Sequence, residues 1–324
     1  MKRIQLENRS DLKSEIPLET PYSIFIDPSS VCNFKCTFCM NSKIVKPEIM
    51  DFSVYKKIID DLQEFDTPVK VIRLYGFGEP LINKKFIEMV EYAKKSDKVL
   101  SVDTTTNASL LTHKYNEKLI ESGIDRINIS IESLTDDGYK SFTGRDISFD
   151  SLVENIRHLN SIKGDTIIFI KIAGDYLSED EKSFFFETFK PISSGCDIEH
   201  TANCWYDLDV ENVNKDVGIY GQPLDDIEIC PYIFYSFLIQ PDGKISLCFL
   251  DWNKKMIIGD TGKQSVKDAW TSELFNKIRI DMLEGKKNNI CQKCSQLKAG
   301  MPVNLDPYKS ELLKRMGQNG TFSQ

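Results

Sequence analysis

The chain has 324 residues with 41 Lys and Arg against 49 Asp and Glu, which gives a net charge of −8 and a pI near 5.2. This length suits a barrel-sized domain plus a smaller one, and the acidic balance without a Lys/Arg-dense stripe argues against nucleic-acid binding. No apolar run approaches the roughly 18 residues of a membrane span, and the polar N-terminus lacks the apolar core of a secretory signal. Nine cysteines without an export signal favour metal or catalytic chemistry over disulfides, in a reducing cytoplasm.

A polar arm is followed by short β-branched runs that alternate with segments of helical period. Predicted strands cover residues 23–27, 69–76, 99–107, 126–133, 166–174 and 196–204. Predicted helices cover residues 53–65, 84–95, 113–122 and 178–189, with further helical stretches up to residue 160. Strands and helices that alternate in this way predict βαβ units and a parallel sheet. Six such units are too few for a closed eight-stranded barrel.

The C-terminal third has a different organisation. Residues 205–229 are acidic and irregular, and they form either a solvated linker or a loop that folds over the end of the sheet. Two β-rich runs joined by Pro-Asp-Gly at 241–243 then predict a hairpin, and residues 265–285 predict a helix. The predicted organisation is an arm at 1–21, a main domain at 22–204, the linker at 205–229, a small domain at 230–296 and a helix with a polar tail at 297–324.

Three cysteines lie on one short segment near the N-terminus, Cys32, Cys36 and Cys39 in VCNFKCTFCMN. A [4Fe–4S] cluster normally takes four thiolates, so a loop that offers three leaves one iron open to another ligand. An open iron can bind a small molecule and pass an electron to it. Buried structural cysteines, or part of a zinc site, are the simpler alternatives.

The spacing of these cysteines, with aromatic Phe38 directly before the third, resembles the cluster loop of the radical SAM superfamily. The resemblance implies that the open iron of a [4Fe–4S] cluster chelates the amino and carboxylate groups of S-adenosylmethionine (SAM). Reductive cleavage of SAM would then release a 5′-deoxyadenosyl radical that abstracts a hydrogen atom from a substrate. The resemblance also implies an α/β fold built as a partial (β/α)6, TIM-like barrel, and a flavodoxin- or ferredoxin-type reductant.

Polar residues follow successive predicted strands, at the ends where ligands collect in parallel α/β folds. They are Gly78, Glu79 and Pro80 after the second strand, Thr105, Thr106 and Asn107 after the third, and Ser130 and Glu132 after the fourth. The first group resembles the GGEP motif of the family, with Phe77 in place of the first glycine. The resemblance implies that this backbone and Glu79 receive the SAM ammonium, and that Ser130 and Glu132 hold the ribose and the methionyl carboxylate. Lys171, at the start of KIAGD in the fifth strand, is in the right place to contact adenine.

A second set of thiols, Cys230, Cys248, Cys291 and Cys294, could close a metal site, and structural zinc is the simplest occupant. Their arrangement is a cysteine, a hairpin, a tryptophan-bearing helix and then CxxC, which resembles the auxiliary-cluster region of SPASM and twitch enzymes. No cysteine follows Cys294, so the resemblance implies one auxiliary [4Fe–4S] cluster. Four protein ligands would coordinate it fully, which suits electron transfer better than substrate binding.

Two cysteines remain, both in the predicted sixth strand: Cys196 begins it and Cys204 ends it. Most buried free cysteines only pack as small hydrophobes. Radical epimerases, however, need a hydrogen-atom donor on the face opposite the radical, and Cys204 is the candidate for that role. His200 and Asn203 share this segment and could bind a polar substrate.

The resemblance leaves the substrate open. One hypothesis is hydrogen abstraction from a small, polar, carbohydrate-like molecule, which gives dehydrogenation if the auxiliary cluster takes an electron and epimerisation if a thiol returns hydrogen. A second is a ribosomal-peptide maturase that forms thioethers or epimerises residues, although the short arm before residue 22 argues against a leader-binding domain. A catalytically inactive metal-binding protein is a third.

Overall fold

The computed structural model describes residues 11–202, 216–300 and 303–318. The described strands are β1 Ser23–Ile26, β2 Val71–Leu74, β3 Val102–Thr106, β4 Arg126–Ile131, β5 Ile167–Ala173, β6 Gly195–Glu199, β7 Ser236–Ile239, β8 Lys244–Ser246 and β9 Ile257–Asp260. The helices in the first two thirds are α1 Leu12–Glu15, α2 Phe52–Asp61, α3 Phe86–Lys94, α4 His113–Glu121, α5 Asp136–Thr143, α6 Phe149–Ser161 and α7 Glu179–Phe189. Those that follow are α8 Tyr232–Tyr235, α9 Val266–Thr271, α10 Glu273–Leu283, α11 Asn289–Gln292, α12 Gln296–Ala299 and α13 Lys309–Gln318. None of the helices in these ranges has the length and apolar character needed to cross a membrane.

The strands form one sheet in the order β6-β5-β4-β3-β2-β1-β7-β8-β9. Strands β1 to β6 are parallel neighbours in chain order, as the alternating pattern predicts. Strand β7 pairs in parallel with the free side of β1, with Phe25 opposite Leu238. Strands β8 and β9 then continue the same sheet in antiparallel fashion. The predicted α/β fold with a dominant parallel sheet is therefore confirmed, and the C-terminal hairpin extends that sheet.

The two faces of the parallel strands differ in chemistry. On β4, Ile127, Ile129 and Ile131 are at most 2% exposed, and they share one apolar core with helix residues such as Leu119 and Ile156. The alternate positions of β4 and β5 carry Arg126, Asn128 and Ser130, and Phe169 and Lys171. Because side chains alternate across a strand, the helices cover the apolar face and the polar face lines the barrel interior.

Several elements differ from the predicted bounds, and three of these differences have consequences near the cysteine sets. The sixth strand ends at Glu199 because the backbone N–H of His200 bonds to Ile219 and that of Thr201 bonds to the Asp175 carboxylate, which takes both out of the ladder. The predicted helix 265–285 is two helices, since the Ser272 hydroxyl caps α10 by accepting from Phe275 N at 3.2 Å. The hairpin is followed by a third strand, β9, and Cys248 lies just after β8.

Trp270 fixes the C-terminal region against the barrel. It is 1% exposed, its ring lies 5.7 Å from Phe237 of β7, and its Nε1 donates to the Leu18 carbonyl at 2.9 Å. The Arg279 guanidinium lies 4.0 Å from the Trp270 ring centroid and donates to the Ile233 carbonyl at 3.0 Å. One side chain thus joins α9, β7 and the segment before β1.

We expect Trp270→Ala to lower the free energy of unfolding by about 3–5 kcal/mol, because it leaves a large cavity and an unpaired Leu18 carbonyl. Urea denaturation of the anaerobically purified protein measures this. Leu274→Ala is the matched control, since Leu274 is 51% exposed and its truncation should change stability little. Equal losses for the two variants would contradict the role given to Trp270.

Candidate active site at the cysteine loop and barrel interior

The first cysteine set lies on the loop that follows β1. The Sγ of Cys32 accepts a hydrogen bond from Phe34 N at 3.4 Å, and the Sγ of Cys39 accepts one from Asn41 N at 3.4 Å. Such N–H···S bonds favour the thiolate form. Cys39 also precedes a short 3₁₀ helix, Met40–Lys43, which turns the chain away from the loop.

Two asparagines hold this loop in place. The Asn41 amide donates to the carbonyls of Ser30 at 2.8 Å and Phe77 at 2.7 Å, so it ties the loop to the segment after β2. The Asn107 amide donates to Asn33 Oδ1 at 2.9 Å, which ties the loop to the end of β3. The sequence analysis did not predict a role for Asn33 or Asn41, although Asn33 directly follows Cys32 and Asn41 lies two residues after Cys39.

The segment after β2 approaches the loop so closely that it needs glycine. A Cβ on Gly78 would lie 2.4 Å from the carbonyl oxygens of Ser29 and Val31, and one on Gly76 would lie 2.4 Å from Cγ of Asp27. Glu79 N donates to the Val31 carbonyl at 3.0 Å. The backbone of this motif is therefore packed against the start of the cysteine loop, and Pro80 opens the 3₁₀ helix Pro80–Ile82 behind it.

Glu79 is a buried carboxylate with protein donors on both oxygens. It is 2% exposed; Oε1 accepts from the Thr106 hydroxyl at 2.6 Å and from Leu81 N at 3.1 Å, and Oε2 accepts from Asn107 N at 2.8 Å. Burial raises the pKa of Glu79 to about 7. The carboxylate clamps the end of β3 to the segment after β2, and a contact between Glu79 and the SAM ammonium stays a prediction.

Asp27 plays a similar part at the end of β1. It is fully buried, and it accepts from Ser29 N at 3.1 Å and from Phe77 N at 3.3 Å. Burial raises its pKa to about 7, against the effect of those two hydrogen bonds. No sequence pattern marks this residue beyond its place at a strand end.

Glu132 and Lys171 lie near the cysteine loop, on the polar face of the sheet. Burial raises the pKa of Glu132 to about 7, and nearby Lys171 acts in the opposite direction. Burial raises the pKa of Cys36, and the nearby Glu132 carboxylate raises it further. Lys171 Nζ lies 3.1 Å from Glu199 Oε2. Ser130 is the half-buried residue opposite Lys171 in the register, so three predicted SAM-binding residues come together here.

The first cysteine set suits a group that binds thiolates. Burial raises the pKa of Cys32 to about 11 and that of Cys36 well above its usual range, and the thiols of the loop add to each other's shifts. The raised pKa values mean that forming thiolates here is unfavourable. A bound metal offsets that free-energy cost, because it binds the cysteines as thiolates. Cys32, Cys36 and Cys39 would hold the cluster that carries an open iron, and Phe38 is half-buried beside them.

The second cysteine set also converges, from three parts of the C-terminal region. Burial raises the pKa of Cys230 to about 12 and of Cys291 to about 11, and Cys248 and Cys294 are shifted in the same direction. Cys291 and Cys294 add to the burial-driven rise in the pKa of both Cys230 and Cys248, so the four thiols lie within electrostatic range of one another.

Four thiols are a donor set that suits either a tetrahedral zinc ion or an iron–sulfur cluster. Within residues 11–202, 216–300 and 303–318, no three His, Cys, Asp or Glu side chains are close enough to hold one metal ion.

The inner face of the sheet carries charged residues. Arg73, Asp103 and Arg126 are neighbours in the register of β2, β3 and β4, and Arg73 Nη1 lies 2.9 Å from Asp103 Oδ2. The Arg73 side chain is 32% exposed, whereas Asp103 is 6% and Asn128 4% exposed. The polar side chains of this face therefore pair with one another inside the barrel.

At the ends of β5 and β6, Asp175 and His200 form a pair. His200 Nδ1 lies 2.6 Å from Asp175 Oδ1, and Thr201 N donates to the other carboxylate oxygen. Cys196 is half-buried in β6, where burial raises its pKa. Cys204 and Asn203 lie outside the described residues, and the hydrogen-donor role of Cys204 stays a prediction.

We expect Gly78→Ala to disturb the cysteine loop, because its Cβ would clash with two backbone carbonyls that cannot rotate away. The loss of stability should be about 1–3 kcal/mol, with reduced iron binding and weaker SAM binding. Iron analysis and equilibrium dialysis with labelled SAM measure this. Gly317→Ala is the matched control, because a Cβ there meets no atom within 4 Å. Wild-type iron and SAM binding in Gly78→Ala would contradict the packing argument.

Asp27 should make folding depend on pH. Its pKa is about 7 in the folded chain against 3.8 in the unfolded one, so the folded chain binds more protons between these values. The free energy of unfolding should therefore fall as pH rises from about 4 to about 7, by up to about 1.4 kcal/mol per pH unit from this group. Urea titrations at several pH values should show a shallower fall for Asp27→Asn. Equal slopes for the two proteins would contradict the burial effect.

Comparison with known proteins agrees with this site. The family model described as the radical SAM superfamily matches residues 26–182, and that of an iron–sulfur cluster-binding domain, SPASM, matches residues 230–295. The GTP 3′,8-cyclase of Staphylococcus carnosus (strain TM300) is 31% identical over 139 residues, which are 40% of this chain and 40% of the cyclase. The GTP 3′,8-cyclase of Staphylococcus aureus (strain JH9) is 30% identical over the same shares. The chain thus spans less than half the length of the curated relatives it matches.

Solved structures share the fold over most of the chain. BtrN in complex with AdoMet and 2-DOIA has a TM-score of 0.59 at 20% identity, covering 88% of this chain and 97% of BtrN. Native anSMEcpe with AdoMet and the Cp18Cys peptide has a TM-score of 0.58 at 15% identity, covering 93% and 98%. Streptococcus suis SuiB bound to precursor peptide SuiA has a TM-score of 0.56 at 15% identity, covering 89% and 72%.

These identities show the fold alone, whereas the two family models cover both cysteine sets. A radical SAM domain implies SAM and a [4Fe–4S] cluster, and the SPASM domain implies auxiliary iron–sulfur binding. The chain therefore carries a radical SAM superfamily domain at residues 26–182 and an iron–sulfur cluster-binding SPASM domain at residues 230–295.

Proposed function

We propose that this protein is a radical SAM dehydrogenase that oxidises a small, polar, carbohydrate-like molecule in the barrel interior. When bound, SAM and the cluster of the cysteine loop supply a 5′-deoxyadenosyl radical that takes a hydrogen atom from the substrate. The observation that carries the proposal is the polar inner face of the sheet, whose Lys171 and Glu132 lie near the cysteine loop. The proposal rests on the side chains of that face and on how the second cysteine set meets it.

The polar inner face suits a molecule with several hydroxyl or amino groups. Arg73 and Asp103 form one ion pair on it, and Lys171 and Glu199 form another at 3.1 Å. The Arg126 guanidinium donates to Asn128 Oδ1 at 2.9 Å. An apolar substrate would displace the water that hydrogen-bonds to these groups and would offer no hydrogen bond in its place. Each group left unpaired would cost roughly 1–3 kcal/mol of binding free energy. Hydroxyl or amino groups of a polar substrate can take over the hydrogen bonds that the water made.

An aromatic contact joins the second cysteine set to this polar face. Phe249 directly follows Cys248, and its ring stacks on Phe25 of β1 at 5.0 Å with an interplanar angle of 20°. Phe25 in turn lies 5.5 Å from the Arg73 guanidinium. Cys230, Cys248, Cys291 and Cys294 would hold a cluster with all four thiols, which would leave no open iron for substrate and would supply an electron acceptor. This arrangement favours dehydrogenation, in which the substrate loses a hydrogen atom, then a proton and an electron.

Epimerisation is the other outcome for the same substrate class, and it would need a hydrogen donor. Cys204 is the proposed donor, so Cys204→Ala would block product formation by an epimerase. In a dehydrogenase the same variant would keep its activity. The BtrN likeness supports a small-molecule substrate, since that structure holds AdoMet and 2-DOIA.

Peptide maturation is a second candidate because of the peptide-bound neighbours. The anSMEcpe structure with its Cp18Cys peptide covers 93% of this chain with a TM-score of 0.58, about the same as the BtrN likeness. A maturase would leave candidate carbohydrates unchanged and would convert a peptide. Parallel assays with a panel of aminated and hydroxylated sugars and with synthetic peptides separate the two.

Two cysteine variants test the division of labour between the sets. Cys32→Ala should abolish 5′-deoxyadenosine formation from SAM under dithionite, because the cluster with the open iron loses a ligand. Cys248→Ala should still form 5′-deoxyadenosine but yield no oxidised product. Liquid chromatography with mass spectrometry measures both compounds in anaerobic reactions.

Cys196→Ala is the matched control, since Cys196 lies in β6 and belongs to neither set. It should behave as the wild type in both measurements. Normal 5′-deoxyadenosine from Cys32→Ala would overturn the radical SAM role of the loop. Wild-type yield of the oxidised product from Cys248→Ala would overturn the electron-accepting role of the second set.

A further inference from the structure

The loops after β5 and β6 carry a carboxylate–imidazole pair that belongs to neither cysteine set and to no predicted SAM contact. Asp175 lies two residues beyond the end of β5, and His200 directly follows β6. The backbone N–H of Gly174 donates to the Glu199 carbonyl at 2.8 Å, so the two strands stay paired up to the residues before the pair. Both side chains therefore lie at the carboxyl edge of the sheet, where α/β proteins bind their ligands.

Asp175 fixes the orientation of the histidine ring. Its Oδ1 lies 2.6 Å from His200 Nδ1, and its Oδ2 accepts a hydrogen bond from Thr201 N, the next residue in the chain. The Asp175 side chain is 14% exposed, whereas that of His200 is 38% exposed. A carboxylate at Nδ1 holds the ring proton there and places the lone pair of the neutral ring at Nε2. In this tautomer a histidine accepts a proton through Nε2.

Glycine occupies the chain position next to Nε2. The backbone N–H of His200 donates to the Ile219 carbonyl at 2.8 Å, which brings residues 219–221 alongside the ring. Gly221 has a φ of +74°, and a Cβ on it would lie 3.7 Å from Nε2. Glycine meets the left-handed conformation of this turn and adds no side chain beside the nitrogen.

The residues on either side of His200 in the chain connect it to a polar environment. Thr201 is 8% exposed, and within the residues that the structure describes its hydroxyl has no hydrogen-bond partner. Buried hydroxyls are normally paired, so this one points to a bound ligand or water. Glu199 pairs with Lys171 at 3.1 Å on the inner face of the sheet, and Lys171 in turn lies near Glu132 beside the cysteine loop. The pair thus adjoins the polar face that the proposed substrate contacts.

We propose that His200 is the general base of the reaction and that Asp175 is the residue that positions it. The inference rests on the proposed function, because it concerns a hydroxyl group of a carbohydrate-like substrate. Once the substrate carbon has lost its hydrogen atom, His200 Nε2 takes the proton of the hydroxyl on that carbon. The C–O bond becomes a carbonyl as one electron passes to an oxidised iron–sulfur cluster at the second cysteine set. A hydrogen atom, a proton and an electron together balance the oxidation of an alcohol to a carbonyl.

Product formation separates this role from a purely structural one. In anaerobic reactions with the sugar panel, His200→Gly should still form 5′-deoxyadenosine, because neither cysteine set is changed. It should form the oxidised sugar roughly 10²–10⁴-fold more slowly than the wild type, which is the usual contribution of a general base. Added imidazole should restore part of that rate, since it can enter the space of the missing ring and accept the same proton.

Two further variants complete the set. Asp175→Asn should also lose product formation, and imidazole should not restore it, because the ring remains in place without the carboxylate that sets its tautomer. His113→Ala is the matched control, since His113 is exposed on α4 and stacks on His158 with 3.9 Å between ring centroids. It should oxidise the sugar at the wild-type rate.

Chemical labelling tests the pair without any substrate. Diethyl pyrocarbonate acylates a neutral ring nitrogen of histidine, and peptide mass spectrometry of the anaerobic holoenzyme locates the label. His200 should be labelled in the wild type, and Asp175→Asn should lose most of the label at this residue. His113 should be labelled equally in both proteins.

The outcomes distinguish the base from the proposed function. If the wild type oxidises no sugar, the proposed dehydrogenation fails and the base fails with it. If it oxidises a sugar and His200→Gly does so equally fast, only the base fails. A loss that imidazole does not restore in His200→Gly would make the pair structural and overturn the proposal. So would a wild-type His200 that diethyl pyrocarbonate does not label, whether or not the variants fold.

Discussion

Parallel pairing between β1 and β7 is the constraint on which the rest of this structure depends. Strand β1 leads directly into the cysteine loop, and β7 follows Cys230 and leads through β8 to Cys248. Because these strands are hydrogen-bonded neighbours, both cysteine sets are built on one sheet. Phe25 of β1 lies opposite Leu238 of β7, and both meet Phe249 or Phe77 in a small apolar cluster beside Met40. The chain segments that carry the two sets therefore touch through packed side chains.

Two buried carboxylates hold the cysteine loop in place. The oxygens of Asp27 and Glu79 accept hydrogen bonds from backbone and hydroxyl donors, and burial raises the pKa of each to about 7. Gly76 and Gly78 let the segment after β2 come within contact of the loop. Phe77, where the family has glycine, is 4% exposed and turns toward the apolar cluster beside Met40. The departure from the motif thus serves packing between the two cysteine-bearing regions.

Periodicity and motif spacing predicted the order of strands and helices through β5, because each element there has one apolar face. They also placed Ser130, Glu132 and Lys171 at strand ends that the register brings together. They missed what depends on contacts distant in sequence. Asp175 sets the end of β6 through its hydrogen bond to Thr201 N. The cap at Ser272 separates α9 from α10. Strand β7 pairs with β1, which lies more than 200 residues earlier in the chain. Asn33 and Asn41 were missed because their role depends on which carbonyls they reach.

The central claim is that a second iron–sulfur cluster lies on the same sheet as the SAM-binding cluster. The most direct test is the iron content and electron paramagnetic resonance of a variant with Cys32, Cys36 and Cys39 all changed to alanine, reconstituted without oxygen. We expect about four irons per chain and the signal of one reduced [4Fe–4S] cluster, held by Cys230, Cys248, Cys291 and Cys294. A variant that binds zinc, or no metal, would contradict the account and make the C-terminal cysteine set structural.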